Sequence, residues 1–161
     1  MTDKAEIKPS AKRELTITRV FDAPRELVFK AWIDPKQMAQ WWGPQGFTNP
    51  VCELDPRPGG AIRIHMRAPD GVVHPMTGTF SEIVAPERLV FMAVAEDQVG
   101  KPLLEALTTV TFEEQGGKTK LTVHASAVGI APIAAQMLAG MEAGWTQSLE
   151  RLAALVARRN R

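Results

Sequence analysis

The sequence predicts an α+β domain in which a curved, largely antiparallel sheet of about seven strands wraps a long C-terminal helix, with two short helices following the first strand. Three observations predict it. Between residues 50 and 126 short runs of alternating apolar and polar residues are separated by turn signals such as Asp70-Gly71 and Gln115-Gly116-Gly117-Lys118. From 132 to 158, Leu138, Met141, Trp145, Leu149, Leu152 and Val156 recur at spacings of three and four, which is one apolar stripe of a helix. The 161 residues, 45% of them hydrophobic, are enough for one core without staples of metal or disulfide.

Residues 1–12 lack periodicity and read as a flexible leader, ahead of one domain over 13–158 and a short tail over 159–161. In 14–21, Leu15, Ile17 and Phe21 share the buried face of a strand. Arg19 is an odd guest there, which implies either a bulge or an interior guanidinium with a carboxylate partner. Asp22-Ala23-Pro24 starts a helix, with Asp22 as N-cap and Leu27, Val28, Ala31 and Trp32 at helical spacing. Asp34-Pro35 starts a second, carrying Met38 and Trp41 on one face, and Trp42-Gly43-Pro44 ends it. Strands follow over 51–54, 61–67, 73–84, 89–95, 104–113 and 119–126. The terminal helix is then a single element, and Arg158, Arg159 and Arg161 place positive charge where it offsets the helix dipole.

Nineteen Lys and Arg against 18 Asp and Glu leave a charge of +1, and no basic stripe interleaves with aromatics, which argues against nucleic acid as a partner. No apolar run approaches membrane-spanning length, which argues against a membrane. The single Cys52 fits a reducing compartment, and the expected location is the cytoplasm. His65, His74 and His124 are not paired at a spacing that arranges metal ligands, and no phosphate-cradling loop or dinucleotide fingerprint is present. Neither a metal nor a cofactor is expected.

Gly140 and Gly144, one turn apart, either let the terminal helix approach the sheet closely or leave space beside it. Met137, Met141 and Trp145 on that helix, Met38, Trp41 and Trp42 in the early helices, and Met66, Met76 and Met92 in strands make an interior of adaptable side chains. Such an interior suits a variable apolar ligand, and it also suits an ordinary core.

Further residues occur in a telling order: Arg19-Val-Phe-Asp-Ala-Pro-Arg-Glu-Leu-Val-Phe-Lys-Ala-Trp, Asp34-Pro35, Trp41-Trp42-Gly43-Pro44, Pro58-Gly59-Gly60, Pro69-Asp70-Gly71, Gly78-Thr-Phe-Ser-Glu-Ile, Pro86-Glu87-Arg88-Leu89 and Gly144-Trp145. Over residues 15–157 this succession closely resembles the bacterial proteins similar to the C-terminal domain of the activator of the 90-kDa heat-shock-protein ATPase. These are members of the SRPBCC superfamily, with the START-like (Bet v 1-like) helix-grip fold. The resemblance implies a seven-stranded sheet gripping the C-terminal helix, with a deep cavity between them. Relatives bind lipids, steroids, polyketides or other apolar molecules, and some are cyclases or aromatases. Carried over by position, the cavity wall is Trp41, Phe47, Ile64, Met66, Met76, Phe80, Phe91, Met137, Met141 and Trp145, with Arg19 and Glu82 as polar candidates. The namesake co-chaperone has an additional N-terminal domain, for which this chain has no room, and that argues against a chaperone partner.

The leading expectation is a non-enzymatic module whose small apolar or aromatic ligand enters between the terminal helix and the loop over 41–47. The second is an enzyme of the cyclase, dehydratase or hydrolase kind, with His65 or His74 as base and Arg63 or Arg19 steadying negative charge. Alternation counts against it, since Ile62, Ile64 and Met66 share the buried face and place His65 outside. The third is an interaction protein or homodimer, which needs an exposed apolar patch on the outer sheet face; the outward Thr109, Thr111 and Thr122 oppose that.

Overall fold

A computed structural model describes residues 11–160; residues 1–10 of the expected leader and Arg161 of the expected tail lie outside the described residues. Seven strands, β1 (Lys12–Phe21), β2 (Thr48–Leu54), β3 (Ala61–Arg67), β4 (Val73–Val84), β5 (Arg88–Glu96), β6 (Pro102–Gln115) and β7 (Lys118–Gly129), form one antiparallel sheet in the order β1-β7-β6-β5-β4-β3-β2. Four helices complete the chain: α1 (Arg25–Ile33), α2 (Pro35–Trp41), α3 (Ala134–Ala139) and α4 (Met141–Arg159). Register shifts between Thr48 and Val51, Phe80 and Glu82, and Ala95 and Glu96 bend the sheet around α4. This is the helix-grip fold.

The helix starts follow local chemistry. Pro24, not the expected Asp22, occupies the N-cap of α1, because its extended backbone (φ −66°, ψ 151°) already fits that place and its missing N–H needs no partner. Asp34 caps α2, accepting the Lys36 amide at 3.0 Å, and Pro35 opens the helix. The terminal helix is two elements rather than the expected one. Gly140 (φ −92°, ψ 0°) leaves helical geometry between α3 and α4, where a residue of low helix propensity makes the break cheap.

Along the inner face of the sheet, side-chain size changes in one step. Phe80, Leu89, Phe91, Val110, Phe112, Leu121 and Val123 are all buried and pack on Leu149, Leu152 and Val156 of α4. Trp32 sits among them, with its ring 4.7 Å from Trp41, 6.2 Å from Phe112 and 6.0 Å from Trp145. Burial of each large apolar side chain contributes about 1.5–3 kcal/mol, so this half anchors the helix to the sheet. Toward the other end the inward positions of β5 to β7 become mostly small, with Ala93, Ala95, Ala106, Thr108 and Ala125, and the sheet no longer fills the space beneath the helix.

Candidate functional site

Where the inner face turns small, a cavity of about 260 Å³ opens between the sheet and the helices. Met66 of β3, Met76 of β4, Phe91, Ala93 and Ala95 of β5, Leu104, Ala106 and Thr108 of β6 and Ala125 of β7 form its floor. Met137 of α3 and Met141, Gly144, Trp145 and Ser148 of α4 form its roof, and Trp42, Gly43 and Pro44 its rim. Most of these side chains are half-buried, so solvent reaches the space.

The rim is held from α4. The Gly43 amide donates to Ser148 Oγ at 3.1 Å and the Gln45 amide to Gln147 Oε1 at 2.9 Å. One helical turn on, Arg151 donates through Nη1 to the carbonyl oxygens of Trp42, Gly43 and Pro44 and through Nη2 to that of Gln40. Burial pushes the Arg151 guanidinium below its ordinary pKa, and it nonetheless stays charged at neutral pH. Gly43 must be glycine: its φ is +98°, and a Cβ there would lie 2.9 Å from Met66 Sδ.

No lining residue is an acid, a base or a thiol; Thr108 and Ser148 supply the only polar side chains besides the Trp ring nitrogens. The arrangement can therefore bury an apolar molecule and orient it, and it places no proton-transfer group beside one. Among the described residues no cluster of three or more His, Cys, Asp or Glu side chains could hold a metal ion. No described helix is long and apolar enough to cross a membrane.

The structure brings Met66, Met76, Phe91, Met137, Met141 and Trp145 together around the cavity and sends the other expected residues elsewhere. Trp41 is fully buried behind the rim, its Nε1 donating to the Ala31 carbonyl at 2.9 Å. Ile64 and Phe80 face inward but belong to the packed half, around a gap of about 10 Å³ shared with Trp32 and Leu89. Phe47 lies outside the lining, its ring 6.2 Å from that of His74. Arg19 does not enter the cavity and makes no ion pair among the described residues; its guanidinium lies 5.9 Å from the Phe21 ring centroid, a cation–π contact. Glu82 is turned out at the β4 bulge and pairs with Arg88 at 2.9 Å.

The acid–base candidates are likewise displaced. His65 lies on the sheet face opposite to Ile64 and Met66, and on that same outer face Arg63 pairs with Glu53 at 3.3 Å. His74 shares the inward register with Met66 but stands exposed beyond the lining. The residues that position-by-position reading missed are mainly small: Ala93, Ala95, Ala106 and Ala125, with Gly144 on the space-leaving side of the two alternatives its spacing offered, create the space that large residues only border. Their signal was present as alanines at inward alternation positions on three consecutive strands.

With this geometry in hand, the family model described as "Activator of Hsp90 ATPase homolog 1-like protein" matches residues 22–157. The chain belongs to that family. Solved structures are similar to this Hsp90-ATPase-activator-homologue-like chain over most of their length. A protein from Rhizobium leguminosarum is 28% identical over 92% of this chain and 97% of its own, with a TM-score of 0.78. One from Chromobacterium violaceum is 30% identical over 89% and 96%, with a TM-score of 0.75. A solution structure of a protein from Arthrobacter aurescens is 28% identical over 90% and 86%, with a TM-score of 0.79. Among curated proteins, none matches this family member significantly.

Proposed function

We propose that the protein is a binding module for a small apolar or aromatic molecule, held in the cavity between β3–β7 and the α3–α4 helices. The observation that carries this reading is a solvent-reachable space of about 260 Å³ whose walls are methionine, tryptophan and alanine and hold no ionisable group. Empty, such a space forfeits the contacts its lining would otherwise make, so an apolar occupant that fills it is favoured by burial and packing. The free Cys52 supports a reducing compartment, the cytoplasm, as the place of action.

Native mass spectrometry of freshly purified protein, followed by thermal-shift screening of apolar and aromatic metabolites, tests the reading. A ligand at one hundred times its Kd adds about 2.7 kcal/mol of stability, which raises the melting temperature of a chain this size by about 5–11 °C. The shift is expected to vanish in Met141→Lys, which brings a charge to the roof. A screen with no co-purified mass and no stabilising compound would overturn the proposal.

A further inference from the structure

We infer that the occupant is an uncharged, planar, two-ring aromatic molecule bearing one hydroxyl or carbonyl group directed at Thr108. This inference rests on the binding reading above and narrows it to a ligand class.

Size comes first. An apolar protein cavity of about 150 Å³ holds one benzene, so about 260 Å³ holds about ten non-hydrogen atoms, the content of two fused rings.

Shape follows from the floor. Ala93 is register partner of Ala106, and Thr108 of Ala125, so three adjacent strands about 4.8 Å apart present small side chains side by side. The result is a low patch in the floor, bounded by Phe91 at one end and by Leu104 and Met76 at the other. Above it Gly144 leaves the roof recessed: a Cβ at that position would meet no atom within 4 Å. Small floor side chains under a recessed roof leave a slot, and a rigid plane fills a slot without the rotamer entropy that a flexible chain of equal volume loses. The side chains around it also favour a π system. Trp42 and Trp145 meet at 81° with centroids 5.6 Å apart, offering an edge and a face, and four methionine thioethers surround the space.

Charge is excluded by the lining. A carboxylate entering the slot would lose its hydration with no cation to replace it. Arg151, behind the rim, is already committed to four backbone carbonyls. Of the two hydroxyls in the wall, Ser148 already accepts from the Gly43 amide, whereas Thr108, on the floor, makes no side-chain hydrogen bond among the described residues and has both its donor and its acceptors for a polar group on the ligand.

Isothermal titration with four compounds tests the inference: 2-naphthol, naphthalene, 2-naphthoate and 1-decanol, the last matching 2-naphthol in non-hydrogen atoms. The expected result is tightest binding of 2-naphthol, with 2-naphthoate and decanol each at least tenfold weaker. Thr108→Val should weaken 2-naphthol at least fivefold and leave naphthalene unchanged. Two plugging variants, Ala106→Leu from the floor and Gly144→Leu from the roof, should each abolish binding of every compound. Whichever of them retains the wild-type melting temperature serves as the control.

Decanol binding within threefold of 2-naphthol would overturn the planar class and leave the binding reading standing. Equal binding of 2-naphthoate would overturn the uncharged class in the same limited way. A Thr108→Val variant that binds 2-naphthol normally would remove the directed contact. Failure of all four compounds, together with failure of the metabolite screen, would overturn the inference and the binding reading together.

Discussion

Arg151 Nη1 lies 2.9 Å from the Gly43 carbonyl oxygen, and the guanidinium finds its partners in backbone rather than in a carboxylate. A cation on α4 thereby fixes the turn that carries Trp42 and Gly43 into the cavity rim. Hydrogen bonds from a charged donor are worth more than neutral ones, and Arg151 adds them to carbonyls that the Asn49 side-chain amide (on Trp42, 2.9 Å) and the Phe47 amide (on Pro44, 3.1 Å) also reach. Arg151→Ala is expected to cost about 2–3 kcal/mol in urea denaturation, discounted for partial exposure of the group. Amide exchange over residues 42–47 should accelerate. Arg151→Lys should recover only part of the loss, because an ammonium cannot reproduce the planar fork. Unchanged exchange in the alanine variant would show that Ser148 and Gln147 hold the loop without it.

Gly144 lies within α4 yet faces open space. Gly144→Ala should therefore stabilise the protein by about 0.5–1 kcal/mol through helix propensity, raising the melting temperature by about 1–4 °C. Adding a methyl group to the roof should at the same time weaken the cavity's ligand. A variant that gained stability and bound more tightly would contradict the placement of Gly144 over the slot.

Two buried tryptophans should respond differently to the same change. Trp41 Nε1 donates to the Ala31 carbonyl, whereas Trp32 Nε1 is buried with no partner. Replacing Trp41 by Phe loses a made hydrogen bond, and replacing Trp32 by Phe removes an unsatisfied donor. Trp41→Phe should be the costlier by about 1 kcal/mol in paired denaturation curves. Equal costs would mean that ring packing alone sets both.

Asp34 links α1 to α2 and should impose a pH dependence. Burial pushes its carboxyl pKa up, but hydrogen bonds from the Gln37 side chain and the Lys36 amide and the charge of Lys30 outweigh it, and the net value falls below the usual 3.8. With the folded value lowered, its stabilisation is complete above the unfolded value and is lost as pH falls through the folded one. Asp34→Ala should cost about 1 kcal/mol at pH 7, and the gap to wild type should narrow below about pH 4. A gap that stayed constant to pH 2 would assign the effect to packing.

Cys52 is half-buried, and burial, reinforced by the charges of Asp34 and Glu53, pushes its thiol up to about 11. At pH 8 its alkylation should run about a hundredfold slower than that of an ordinary free thiol and become normal in denaturant. Fast modification of the folded protein would contradict the burial of the Cys52 side chain.

The strands were largely legible because alternation and turn chemistry agree: β3 and β4 have the bounds that Ile62-x-Ile64-x-Met66 and the Asp70-Gly71 turn imply. The ordered motifs of the family extended that to the whole fold. About a third of the cavity wall was legible in the same way, through large side chains such as Met141 and Trp145. The rest was not, because a cavity is made by what is missing. Only the register that pairs Ala93 with Ala106, and Thr108 with Ala125, across consecutive strands reveals a shared gap. Arg19 misled for a different reason: alternation puts its Cβ on the face of Ile17 and Phe21 but does not say where a long side chain ends, and the guanidinium reaches past the core over the Phe21 ring. The break at Gly140 was hidden because an apolar stripe continues across it.

The sheet order carries a consequence for how the chain acquires its shape. Strands β2 to β7 follow one another as neighbours and can zip up through local hairpins, but β1 joins only β7, with Thr16 and His124 separated by 108 residues. That pairing waits on a long loop closure and is the slowest contact to form. On the ribosome, β1 is made first and finds its partner nearly last, so a nascent chain halted before β7 leaves β1 with no partner strand and the edge of β6 unpaired. Truncation ahead of Lys118 should therefore yield aggregates rather than a smaller folded domain.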